Sequence, residues 1–342
     1  MQSRVILRGV PDGYSSYCFH WLHVVRGFGL KGYNVNTLPI PFEGQGKQLP
    51  AWAAETIVHK LQPEPWEMVI HCPSFGPAEK RNIVYNTMWE STRLPRQSVL
   101  NLNNCTAVVV PSDWQLQTFS AQGVDTEMFK VPMGIDSDLF HYKPKIKKDY
   151  FLFGTAGRTQ GGGCRKNIPE VVLAFQDAFQ GVDDVRLEVK CYPEDPDIET
   201  DDSRITLIRD FWGREQLASW YESLDGFVSA SKGEGWGLMQ HEAMATGRPV
   251  ISVNFGGITE FFDDQVGFPV DFRMAKADGH YEGGGLQADP DFDSLVGQLQ
   301  VVYDGGTTVD EKAIRAATRG AQFSWDRSNT DLENALSLIG LI

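Results

Sequence analysis

Ser231-Lys232-Gly233-Glu234-Gly235-Trp236-Gly237, then Leu238-Met239-Gln240-His241-Glu242-Ala243-Met244-Ala245-Thr246, then Gly247-Arg248-Pro249-Val250-Ile251, is the most heavily punctuated stretch of the chain. Its first part is too rich in glycine for a helix. The second part is a run of helix formers, and Gly247 with Pro249 is a stop signal. An apolar run at residues 226–229 precedes it and another at 250–253 follows it. Strand, glycine loop, helix and strand in that order form a βαβ unit.

The same alternation extends outward in both directions. Short apolar runs at residues 5–7, 35–38, 68–71, 83–85, 107–110, 151–154 and 186–189 are separated by segments of helical length. With the two runs above they are too many for one compact sheet, which predicts two doubly wound α/β domains. The 342-residue length is enough for two cores. The polar and basic stretch His141-Tyr142-Lys143-Pro144-Lys145-Ile146-Lys147-Lys148 reads as the linker, giving domains at 1–143 and 149–325.

Composition narrows the function. Lys and Arg number 31 against 45 Asp and Glu, a net charge of -14, which disfavours nonspecific polyanion binding. Cys18, Cys72, Cys105, Cys164 and Cys191 form no CxxC pair, so neither a zinc site nor a disulfide framework is expected. With no secretory leader and no apolar stretch of roughly 18 residues, the expected location is cytoplasmic. The 34 glycines exceed the usual share of about 7%. Many follow predicted strands, where backbone amides and a helix N-terminus suit a phosphate.

Within the opening stretch Glu234 falls on the loop and Glu242 on the helix behind it. Two carboxylates so placed can accept hydrogen bonds from vicinal hydroxyls, while the amides of Gly235, Trp236, Gly237 and Leu238 face an anion. The stretch closely resembles the GT-B glycosyltransferases, specifically glycosyltransferase family 4. The family's Glu-x7-Glu falls on Glu234 and Glu242, and the Gly-x-Pro-Val-Ile and Gly256-Gly257-Ile258-x-Glu260 strings match as well. The resemblance implies two Rossmann-like domains facing a cleft, with Glu234 on the donor sugar and Glu242 on the ribose of a nucleotide sugar.

Gly157-Arg158, then Arg165-Lys166-Asn167, is similar to the family's cations for the donor diphosphate. Preorganised cations stabilise a departing diphosphate more than its ground state. Arg158 and Lys166 are the first choices. The inserted Thr159-Gln160-Gly161-Gly162-Gly163-Cys164 leaves Arg165 open as the substitute for Lys166. Asn86-Thr87-Met88-Trp89-Glu90-Ser91, residues 110–114 and 131–136, and Phe323-Ser324-Trp325-Asp326 extend the likeness. The last of these implies a terminal helix, 326–342, that crosses back to the first domain.

Ser112 with Asp113 is read as a helix N-cap. Weaker site candidates are His71 at a strand end, where the family often has a His that reaches the donor sugar, and Glu90, as base or positioner of the acceptor hydroxyl. The Gly13-Tyr14 loop, whose amides suit a diphosphate, is another. Asp136-Ser137-Asp138, Asp195-Pro196-Asp197 and Asp289-Pro290-Asp291 mimic a metal-binding triplet, yet in so acidic a chain they carry little signal. No metal and no cofactor are expected.

The resemblance thus implies a retaining transfer of a hexose-type sugar from a UDP- or GDP-linked donor to a hydroxyl of a glycan, lipid-linked or other acceptor, the departing phosphate oxygen taking the proton. Two alternatives stay open: a modified nucleic-acid base as acceptor, held by a groove around Arg81, Arg93 and Arg96, and a silent nucleotide-sugar-binding protein.

Overall fold

A computed structural model describes residues 4–9, 15–40, 49–57, 66–70, 82–159, 165–277, 281 and 284–342. The chain divides into two compact units. Unit 1 comprises Met1–Trp89, Leu94–Gly134 and Phe323–Ile342; unit 2 comprises Glu90–Arg93 and Ile135–Gln322.

Unit 1 runs β1 (Arg4–Gly9), α1 (Ser16–Leu30), β2 (Asn34–Pro39), α2 (Ala51–Ala54), β3 (Trp66–Ile70), β4 (Asn82–Asn86), α3 (Arg96–Asn103), β5 (Ala107–Val110), α4 (Asp113–Ala121) and β6 (Met128–Lys130). Its six strands are parallel in the order β2-β1-β3-β4-β5-β6. Val5, Leu7, Met68, Ile70, Ala107 and Val109 send their side chains into one core with Trp21, Val24 and Phe28 of α1. Ser112 caps α4, its Oγ accepting from the Gln115 amide.

Unit 2 runs β7 (Phe151–Ala156), α5 (Ile168–Ala178), β8 (Val185–Cys191), β9 (Ile205–Arg209), α6 (Arg214–Ser223), β10 (Gly226–Ser229), α7 (Leu238–Ala245), β11 (Val250–Val253), β12 (Phe268–Val270), β13 (Phe272–Lys276), β14 (Leu286–Pro290), α8 (Phe292–Asp304) and α9 (Thr307–Gly320). The final helix, α10 (Trp325–Leu338), is part of unit 1. The parallel sheet is ordered β12-β11-β10-β7-β8-β9, and β13 and β14 form a separate antiparallel pair. Renumbered within the unit this is the Rossmann order 3-2-1-4-5-6, whose topological switch point lies between β7 and β10.

The unit boundary falls at Gly134–Ile135, earlier than the basic stretch around Lys143 suggests, because that stretch is tied to unit 2. The Lys143 amide donates to Thr246 O, Arg248 donates to Lys143 O, and Lys148 pairs with Asp225 at 2.7 Å. At the other end α10 buries Leu332 and Leu336 in the core of unit 1. Asn329 Nδ2 donates to His23 O, and Trp325 stacks on His23 at 4.4 Å. Among the described residues no helix is long and apolar enough to cross a membrane.

Candidate active site

In an open α/β sheet, ligands are received at the carboxyl ends of the strands flanking the switch point. In unit 1 those loops follow β1 and β3, and the candidates Gly13, Tyr14 and His71 fall outside the described residues. In unit 2 the loops follow β7 and β10. The first leads to Arg158 and then to Arg165 and Lys166 in the short turn before α5. The second carries Glu234 toward α7.

These loops bring together a buried four-charge cluster. Lys166 Nζ donates to Glu234 Oε1 at 2.6 Å, Arg165 Nη1 donates to Glu234 Oε2 at 3.0 Å, and Gln240 Nε2 adds a 3.2 Å bond to Oε1. Arg165 Nη2 reaches Glu90 Oε1 at 3.3 Å, and the Tyr281 hydroxyl donates to Glu90 Oε2 at 2.7 Å. The side chains of the two carboxylates and two cations are 5 to 14% exposed. Gly233 makes this possible: a Cβ there would stand 2.4 Å from Glu90 O.

Burial by itself pushes the Glu234 carboxyl up, but the charges of Lys166 and Arg165 outweigh it and bring the pKa down to about 2. Burial opposes the Arg165 charge as well, and Glu234 and Glu90 more than compensate. Lys166 stays below its ordinary range, because burial is reinforced by repulsion from Arg165 and only partly offset by Glu234.

Glu242 has a different setting. Helix α7 is buried along almost its whole length, so each of its polar residues needs a partner. Gln240 Nε2 also bonds Ser229 Oγ at 3.0 Å, and Glu242 Oε1 accepts from Arg214 Nη2 at 2.6 Å. Arg214 in turn lies over the Phe140 ring at 4.6 Å. Burial dominates here and raises the Glu242 pKa against the pull of Arg214. His241 lies between Trp236 and Gly320: Trp236 Nε1 donates to Nδ1 at 3.2 Å and Nε2 meets Gly320 O at 3.0 Å. Since an indole only donates and a carbonyl only accepts, the proton is on Nε2. Burial holds this imidazole down to about 4.

The glycine loop enters α7 through Gly237, at φ +95°, and no side chain caps the helix. Glu234 pairs with Gly256 in an isolated parallel bridge, and the Gly257 amide donates to Glu234 O at 2.7 Å. The Gly256-Gly257 string therefore braces the loop. The Trp236 side chain is buried against Phe261 and His241.

Arg158 has partners of its own rather than Glu234: Asp195 Oδ1 at 3.5 Å and the face of Tyr192 at 5.1 Å. The Asp-x-Asp triplets have other occupations. Asp195 holds Arg158, Asp197 holds Arg209, Asp289 holds Arg273, Asp291 caps α8, and Asp136 accepts from the Asp138 amide. Arg93 belongs to unit 2 and Arg96 to unit 1, while Arg81 lies outside the described residues.

Sequence reading missed Tyr281, Gln287, Gln240 and Arg214. Only Gln240 carried a signal, by lying inside the motif. The others approach from β14, the turn before it and α6, distant in sequence.

Residues 153–277, all within unit 2, match the family model described as glycosyl transferases group 1. The chain is 32% identical over 232 residues to a D-inositol 3-phosphate glycosyltransferase of Paenarthrobacter aurescens, an alignment covering 61% of this chain; it spans about half the length of that relative, 51%. Among solved structures it is similar to sucrose-phosphate synthase from Thermosynechococcus elongatus, with a TM-score of 0.74 at 14% identity and 99% of each chain covered. It is also similar to Anabaena Alr3699/HepE in complex with UDP and glucose, with a TM-score of 0.70 at 12% identity, covering 98% of this chain and 100% of that one. These likenesses establish the GT-B fold.

Proposed function

We propose that the protein, whose residues 153–277 match the model described as glycosyl transferases group 1, transfers a hexose-type sugar from a UDP- or GDP-linked donor to an acceptor hydroxyl. The observation that carries the reading is the ion cluster of Glu234, Lys166 and Arg165 at the unit 2 switch point, beside the uncapped N-terminus of α7.

As the bond from sugar to phosphate breaks, negative charge grows on the departing diphosphate. Lys166 and Arg158, with the α7 amides, stabilise that charge where a divalent ion would otherwise be needed, so the reaction is metal-independent. Glu234, ionised at every physiological pH, accepts hydrogen bonds from donor sugar hydroxyls. Glu242, with Oε1 taken by Arg214, is assigned to the ribose. Attack occurs on the face the diphosphate leaves, the configuration is retained, and the departing phosphate oxygen takes the acceptor proton. The presence of UDP and glucose in the Anabaena complex supports a uridine donor.

The test is a thermal-shift screen of UDP, GDP, ADP and TDP and their sugars, followed by nucleotide-release and transfer assays with the best donor. Glu234→Ala, Lys166→Ala and Arg158→Ala should each lower transfer by about 10²–10³-fold while the protein stays folded. Near-normal turnover in all three variants overturns the assignment. Loss of activity in a chelator, restored by manganese, overturns metal independence, and an inverted anomer in the product overturns retention.

A further inference from the structure

Arg165 and Lys166 are adjacent in sequence and both reach Glu234, but they are built into the molecule differently. Arg165 Nη1 has two hydrogens and three protein acceptors: Gly233 O at 2.7 Å, Glu234 Oε2 at 3.0 Å and Ser231 Oγ at 3.3 Å. Nη2 is directed at Glu90. The surrounding backbone is stitched in the same way. The Lys232 amide donates to Arg165 O, the Ala288 amide donates to Lys232 O, and Gln287 Nε2 donates to Glu90 O at 3.0 Å. Tyr281, itself buried, occupies the second oxygen of Glu90. Lys166 instead offers a rotatable ammonium with three donors and bonds Glu234 Oε1.

A diphosphate approaching Arg165 would have to displace carbonyl, hydroxyl and carboxylate acceptors that the fold holds in place. One approaching Lys166 needs only a turn of the ammonium. We infer that Arg165 is a positioning residue that fixes Glu234, that Glu90 and Tyr281 orient it, and that Lys166 is the cation that meets the diphosphate. The inference rests on the nucleotide-sugar reading above and gives Glu90, held by Arg165 and Tyr281 inside unit 2, a positioning role.

The experiment measures two quantities on the full chain: UDP and GDP affinity by calorimetry, and kcat, KM and their pH profiles for nucleotide release from UDP-glucose or GDP-mannose, whichever the wild type turns over. Lys166→Ala should weaken nucleoside diphosphate binding at least tenfold. Arg165→Lys and the near-isosteric Tyr281→Phe should leave that affinity within about threefold and lower kcat at least tenfold. Arg165→Met should also move the acid limb of kcat to higher pH. The charged and titratable groups set around Glu234 are Lys166, Arg165, Glu90 and Tyr281, and losing one cation makes its carboxylate easier to protonate. Glu90→Gln, which keeps an acceptor for Tyr281, should retain more kcat than Glu90→Ala.

A wild type that neither binds nor turns over these compounds overturns the functional reading and this inference with it. An active wild type in which Arg165→Lys weakens nucleotide binding as much as Lys166→Ala overturns the inference alone. So does one in which Tyr281→Phe leaves kcat unchanged. Melting curves of each variant separate these results from misfolding.

Discussion

Glu234 and Glu242 are eight positions apart on one loop and helix, both nearly inaccessible, yet their surroundings drive them in opposite directions. Glu234 faces two cations and stays ionised down to about 2. Glu242 faces one arginine inside a buried helix, and desolvation wins, raising its pKa. Burial alone therefore does not set a carboxylate's charge state: the balance of desolvation against nearby counter-charge does. Paired carboxylates separated in this way mark a site with divided roles.

The sharpest way to break this contrast is to remove each carboxylate. Glu234→Ala takes from the buried Lys166 its bonded carboxylate and leaves Arg165 only Glu90, and should cost about 3–5 kcal/mol of stability in addition to its loss of transfer. Glu242→Gln, at a carboxyl already pushed toward its neutral form, should cost below about 2 kcal/mol. Urea denaturation of both variants reads the difference, and equal losses would erase the distinction.

Acid titration tests it a second way. The lowered Glu234 pKa contributes stability that is fully present above its ordinary value of 4.5 and is lost only as pH falls toward about 2. Between pH 6.5 and 4 other groups must act. His241, beside Glu242, and His20 in unit 1 are both held down to about 4 by burial. Unfolded histidines take up protons below 6.5 and these two do not. Stability should therefore fall across that window, by up to about 3 kcal/mol for each at roughly 1.4 kcal/mol per unit. His241→Gln should flatten the slope of chemical denaturation midpoints against pH.

Arg214→Met should destabilise the protein by about 2–3 kcal/mol at pH 7 and by less at pH 5. A carboxyl whose folded pKa is raised loses stability as pH rises through that pKa, so acid relieves the stranded Glu242. The smallest effect is at Arg158, whose side chain is 43% exposed: Asp195→Asn should cost no more than about 1 kcal/mol through that pair.

The nine apolar runs legible in the sequence mark strands β1–β5, β7, β8, β10 and β11. Of the strands in the two six-stranded sheets, those it does not reveal, β6, β9 and β12, are each an edge strand, and the antiparallel pair β13-β14 is unread as well. Edge strands are partly solvated and tolerate polar residues or proline, as Pro269 in β12 illustrates, so they lack the continuous apolar signature of a central parallel strand. The candidate site divides in the same way. Glu234, Lys166, Arg165 and Glu242 were legible because glycine punctuation and motif spacing are local properties of the chain.

Their division of labour was not legible. Which of Arg165 and Lys166 is left able to meet an anion depends on the acceptors that surround each cation, and those come from residues 90, 231, 233 and 234. By itself the sequence determined the α/β alternation, the two-domain plan and the acidic motif, since periodicity and turn chemistry are encoded within a few neighbouring residues. Only the tertiary structure decided that Tyr281 secures Glu90, that Glu90 and Glu234 share Arg165, and that Glu242 is buried under Arg214. Hydrogen-bond partners and desolvation arise when segments far apart in the chain are packed together.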